Sequence, residues 1–309
     1  GVTWVLGLLG FVEFFLRNFD AARTLAVQVG SEAEERGDTW AAAMMQTLQA
    51  NLYLWQGDLE EAAALAETAR SRFRRLADRY GLSQAMAPLL RAQTGLGWTA
   101  AAQRTEEELF AVADTAAASV GALPLLAVAG AQMHRGDGLA AASSATRTIA
   151  ELRGAGSTSY EPMIILAMAQ GQIRRVDEAL ATLESIPPEN RDHPFANAVT
   201  AIIEALAGHP VAALAASAQV TAAGGASYLD QVLALVGAAG AHHATGDGNA
   251  ALAAARAAVD LALRTGDVPA TALASNCLAA VNGRKQPAVD SQHSSNDGWA
   301  AVIAGLFPA

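Results

Sequence analysis

One turn signature recurs along this chain at intervals close to 39 residues, and that spacing restricts the fold more than any other feature. The signature is a Gly or polar pair, two or three residues, then small residues that open an Ala-rich stretch. It reads Arg17-Asn18-Phe19-Asp20-Ala21-Ala22, Gly57-Asp58-Leu59-Glu60-Glu61-Ala62, Gly97-Trp98-Thr99-Ala100-Ala101-Ala102 and Gly136-Asp137-Gly138-Leu139-Ala140-Ala141. It returns as Arg174-Arg175-Val176-Asp177-Glu178-Ala179, Gly208-His209-Pro210-Val211-Ala212-Ala213 and Gly246-Asp247-Gly248-Asn249-Ala250-Ala251. The closing alanines stand at 22, 62, 102, 141, 179, 213 and 251, in steps of 40, 40, 39, 38, 34 and 38. A unit of this size repeated in tandem marks an array whose members bury one another's apolar faces.

Both flanks of each turn read as helix. Met45, Leu48, Leu52 and Trp55 fall three or four apart before the second turn, and Ala62, Leu65, Ala66, Ala69 and Phe73 do so after it. Asp58 is a natural N-cap, and Glu61 three residues on predicts a capping box. A second punctuation separates the units: Arg36-Gly37-Asp38, Asp78-Arg79-Tyr80-Gly81, Gly154-Ala155-Gly156-Ser157 and Thr265-Gly266-Asp267. Pro194 and Pro269 each follow an Asp by two residues, in a first turn where a missing N–H costs little. Val and Ile never alternate over a useful length, so no strand is predicted.

The expectation is therefore an all-α chain: an α-solenoid of about seven helical hairpins over residues 1–282, with turns near 18, 57, 97, 136, 175, 208 and 247. Ala62, Ala102, Ala141 and Ala251 should be buried where helices cross. Residues 283–298 are polar and turn-rich and read as a linker. Residues 299–309 read as a short apolar helix that caps the array or docks on it, and the end of the array is the nearer place.

Composition excludes several classes. A chain that is 52% hydrophobic buries enough surface to offset its ordering entropy, so it is not a disordered segment. Its formal net charge of −10 argues against gripping a phosphate backbone directly. A single cysteine, Cys277, excludes an internal disulfide framework and a thiolate metal cluster. The most apolar stretch, residues 1–12, ends at Glu13, short of the roughly 20 residues a membrane crossing needs. It also lacks the marks of a signal peptide. The opening Gly1 suggests a piece of something larger.

Ala50, Tyr53, Gly57, Ala62, Ala66 and Ala69 stand at the spacings of the small residue, tyrosine, turn glycine and paired small residues of the tetratricopeptide repeat, and this unit resembles that family. Ala66 replaces the usual aromatic, and the period of 38–40 exceeds the family's 34. The unit around Ala129, Gly136, Ala141 and Ala145 matches less fully. Residues 34–40 and 73–81 are similar to the long repeats in the C-terminal arms of bacterial LuxR/MalT-type regulators. The resemblance implies a right-handed superhelix and a non-enzymatic, cytoplasmic interaction or sensor module without cofactor. Its partners would be a protein, a peptide, neighbouring domains of the same polypeptide or a small effector, with no nucleic acid or membrane contact by this segment.

It also implies a concave groove lined by the first helix of each hairpin. The corresponding positions are Trp4, Phe11, Phe14 and Phe15, then Met44, Thr47, Asn51, Leu54 and Trp55. Gln84, Arg91 and Thr94 follow, then Leu126, Met133, His134, Met168, Ile202 and His243. Arg91 is the one basic residue suited to clamping a carboxylate terminus. No carboxylate stands among these positions, which weighs against one alternative, an acid/base enzyme on a helical array; a purely structural scaffold is the other.

Remaining motifs reduce to the repeat. Three turns spell G-x-G-x-x-A, at Gly95–Ala100, Gly136–Ala141 and Gly246–Ala251, but a dinucleotide fingerprint follows a strand and these follow helices. His242 and His243 are adjacent, so they diverge by about 100° on a helix and chelate poorly. Glu106, Glu107 and Glu108 radiate around a helix in the same way. Arg70, Arg72, Arg74, Arg75 and Arg79 form the sharpest charge feature, a candidate docking patch for an acidic partner or phosphates. The plainer reading is a solvated face on which Arg70 pairs with Glu67.

Overall fold

The structure is a computed structural model that describes residues 2–115, 118–157, 159–222, 224–283 and 297–308; most of the expected linker, residues 284–296, lies outside them. The described residues form seventeen helices and no strand. The chain divides into two compact units, residues 1–128 and 129–309. The first holds α1 (Val2–Phe15), α2 (Phe19–Glu35), α3 (Thr39–Gln56), α4 (Leu59–Arg75), α5 (Arg79–Gly95) and α6 (Thr99–Thr115); the boundary falls within α7 (Ala118–His134). The second continues with α8 (Gly138–Gly154), α9 (Glu161–Gln172), α10 (Val176–Glu184), α11 (Pro188–Arg191) and α12 (Pro194–Leu206). It ends with α13 (Pro210–Ala222), α14 (Tyr228–Ala244), α15 (Gly248–Thr265), α16 (Val268–Val281) and α17 (Gly298–Leu306).

All seven predicted turns separate helices, and one local device builds them. At each, a residue with positive φ closes the first helix: Gly57, Gly97, Gly136, Gly208 and Gly246, with Arg17 and Arg174 in the same conformation. The next residue donates its N–H to the carbonyl five positions back at 2.8–3.0 Å, as Asp58 does to Tyr53 and Asp247 to His242. That bond satisfies a carbonyl left over at the helix end and reverses the chain in three residues. Asp137 and Asp247 then cap the second helix through Ala140 N–H and Ala250 N–H. The capping box expected at Asp58 and Glu61 does not form: Asp58 occupies the cap without a side-chain bond, and Glu60 and Glu61 complement the helix dipole instead. Ser227 and Asp230 make the box at the start of α14.

Successive helices pack as antiparallel-type pairs, and first helices also touch the first helices of neighbouring pairs. In the first unit α1, α3 and α5 form that layer; in the second, α9, α12, α14 and α16 do. Two elements go beyond the expected hairpins: the one-turn α11 that begins at Pro188, and α16, which follows the seventh hairpin and packs on both of its helices, α14 and α15. Ala62, Ala102, Ala141 and Ala251 are buried as expected. Close approach is tightest at Gly81, where a Cβ would sit 2.2 Å from the enclosed Phe73 ring.

A second device ties one first helix to the next. Trp40 near the start of α3 donates its indole N–H to Asp78, which precedes α5, at 2.6 Å. Tyr228 at the start of α14 donates to Asp267, the N-cap of α16, also at 2.6 Å. The Tyr160 ring before α9 lies 5.4 Å from that of His193, the N-cap of α12.

Candidate functional site

The second unit carries a helix on its layer of first helices. α17 packs against α9, α12, α14 and α16, not only against the last helix of the array, so the favoured end-cap position is not where it lies. Leu273 and Cys277 of α16 are buried, with α14, α15 and α17 packed on that helix. Burial without nearby charge pushes the Cys277 thiol up to about 12, so it is an inert packing group.

α17 is seated through its two ends and one face. Asp297 caps it by accepting from Ala300 N–H. Gly298 N–H donates to Gly136 O at 2.8 Å, and the Trp299 indole donates to His134 O at 2.8 Å. Arg174 reaches Ala301 O at 3.0 Å. At the far end the Phe307 ring lies 5.0 Å from that of His243. Trp299, Val302, Ile303 and Leu306 are buried. The fit is close enough to forbid side chains: a Cβ on Gly298 would meet Gln172 Cβ and Gly136 O at 2.6 Å, and one on Gly240 would meet Leu306 at 2.9 Å.

Beneath Trp299 lies a buried polar network. His134 Nε2 stands 2.9 Å and 3.1 Å from the two Asp267 carboxylate oxygens, which also accept from Tyr228 OH and Ala270 N–H. Burial pushes the Asp267 carboxyl up, but the charge and hydrogen bond of His134, with the bonds from Tyr228 and Ala270, hold it below the usual carboxylate range. The network fixes the end of α7, so it positions the very carbonyl that receives Trp299. Beside Gly298, the buried Gln172 Oε1 on α9 has no hydrogen-bond partner among the described residues.

Of the groove positions in this unit, His134 and His243 are brought to opposite ends of one bound helix. Met133 offers its carbonyl to Gln172 Nε2, and Met168 and Ile202 are fully enclosed. In the first unit Trp4 and Phe15 are 60% and 77% exposed. Phe14 sits among Phe15, Phe19 and Trp55, with ring centroids 5.7–5.9 Å away. Trp4, Phe11 and Met44 line a shallow apolar cleft with Leu8, Trp40 and Met45. Thr47 and Thr94 are buried and spend their hydroxyls on Ala43 O and Leu90 O; Leu54 is buried as well. Asn51 bonds Thr47 O, while Gln84, Arg91 and Leu126 are half-buried.

The arginine cluster faces carboxylates of neighbouring helices. Arg70 pairs with Glu67 at 2.9 Å, as the spacing predicts, and with Glu108; Arg74 also holds Glu108, at 2.7 Å. Arg72 pairs with Glu34, Arg79 bonds Thr115, and Arg75 is exposed. Sequence reasoning did not single out Asp267, Tyr228 or Arg174. The 39-residue separation of Tyr228 and Asp267, matching the 38 of Trp40 and Asp78, was the available signal.

No described helix is long and apolar enough to cross a membrane, and no group of His, Cys, Asp and Glu among the described residues is arranged to hold a metal ion. No protein-family model matches the chain, and no curated protein matches it. Solved structures do: the apo form of RapI is similar at a TM-score of 0.63 and 12% identity, over 86% of this chain and 98% of that one. At that identity the likeness is one of fold, and the fold is an all-α helical-repeat array.

Proposed function

We propose that this chain is a non-enzymatic interaction module whose second unit holds an apolar helical segment against its first helices. In this reading it is the partner-binding or sensing arm of a larger bacterial signalling or transcription regulator, working in the cytoplasm. Its partner is a protein, a peptide or a neighbouring domain of the same polypeptide. The observation that supports it is the seating of α17: an apolar helix is gripped by two turn carbonyls, an arginine and close-fitting glycines. That is how a groove takes a helix, by anchor residues on one face. A small apolar effector is a second reading, favoured by the apolar cleft that Trp4 and Trp40 line.

The test is calorimetric titration of the full chain with a library of twelve-residue apolar helical peptides. Saturable one-to-one binding with a negative heat-capacity change, and no chemical change in the peptide, is the expected result. No binder anywhere in the library, or product formation, overturns the reading.

A further inference from the structure

We infer that α17 is an internal ligand, standing where a short apolar helix of another protein binds: a helix opened by an acidic cap, a glycine and a tryptophan. This rests on the interaction-module reading and adds the chemistry of the partner.

Three observations carry it. First, the grip is generic. Gly136 O and His134 O are main-chain acceptors, and the five buried residues of α17 are a glycine and four apolar side chains, so any helix with the same pattern meets the same contacts. Second, α17 has nine residues, fewer than a helix needs to persist alone in water, so its helical form depends on being seated. Third, the fit is incomplete. Gln172, against which Gly298 packs, keeps its buried Oε1 without a partner. A buried unpaired polar atom carries its full desolvation cost, and a helix that supplies a donor there gains what α17 forgoes.

The probe is a fluorescein-labelled peptide with the sequence of residues 297–308, titrated into the full chain. A segment joined to its own site competes at an effective concentration on the order of millimolar, so the wild-type chain should bind the probe weakly. Trp299→Ala removes the anchor of the resident helix and leaves the groove intact; probe binding should tighten at least about tenfold. Leu306→Ala likewise removes a buried anchor of the resident helix and leaves the groove intact. It should tighten binding less, and it reads the exchange if Trp299→Ala disturbs folding. Adding Gly240→Leu to either variant, which places a side chain where Leu306 sits, should abolish binding. A probe with Trp replaced by Ala should not compete.

Equal or absent probe binding by the wild type and both variants, with unchanged melting curves, makes α17 a permanent plug and overturns the inference. Concentration-dependent dimers that exchange α17 between copies overturn the foreign partner as well. If library peptides unlike α17 bind and the probe does not displace them, the interaction-module reading stands and this inference falls.

Discussion

The two units use the same register to opposite effect. In the first, residues 38 apart are joined by charge pairs that range from exposed, Arg72 with Glu34, to half-buried, Arg70 with Glu108. In the second, Tyr228 and Asp267, 39 apart, meet in a dry network with His134. The repeat decides which residues become neighbours, and burial decides what the meeting is worth. An exposed ion pair contributes little after screening and side-chain ordering. A buried carboxylate must have every partner, because removing one leaves an uncompensated charge. The apolar surfaces divide in the same way: the first unit leaves Trp4 and Phe15 open, whereas the second covers its first helices with α17.

The largest expected effect tests the dry network. Asp267→Ala removes the cap of α16 and both side-chain partners, and should cost about 3–5 kcal/mol in urea unfolding. The pH dependence has a definite sign. The folded carboxyl lies below its ordinary 3.8, so the unfolded chain binds the proton first as pH falls. The stabilisation is complete above the unfolded value and is lost as pH drops through the folded one, below about 4. Asp267→Asn should flatten this acid limb of the stability curve; an unaltered limb would show that the charge is not what holds the network.

An intermediate effect tests the shared register. Ala62→Leu and Ala251→Leu each force a larger side chain into an enclosed helix crossing, at about 1–3 kcal/mol. Equal losses in the two units, measured by thermal melting, would show that the crossings are equivalent. The smallest effect tests the wet clamps. Arg72→Met, which frees the exposed Glu34, should cost no more than about 1 kcal/mol, and that difference should shrink in molar salt. Burial raises the Glu108 carboxyl, but Arg74 and Arg70 outweigh it and hold the group below its ordinary value. Loss of Arg70 should let it rise in an NMR titration.

Turn positions were legible because each is written locally, in a positive-φ residue followed by a cap. Gly57-Asp58 and Gly246-Asp247 carry that information within two residues. Arg17 and Arg174 were read correctly only because the period placed them. The short α11 was not foreseen, since Pro187-Pro188 marks a break without saying what fills it. The seat of α17 was beyond reach for a different reason. Its contacts join residues 127 and 165 positions apart, and no local pattern encodes which face a distant segment will choose. One trace was present: Asp297-Gly298-Trp299-Ala300-Ala301 repeats the opening of α3, Asp38-Thr39-Trp40-Ala41-Ala42. In both places the indole N–H, two residues after the cap, finds an acceptor outside its own helix.

A helix of nine residues is about 13 Å long. Four parallel helices laid flat, at the usual 8–10 Å between axes, cover roughly twice that width. α17 nevertheless touches α9, α12, α14 and α16. One short helix thus ties four first helices together at once, where the repeat by itself ties only neighbours.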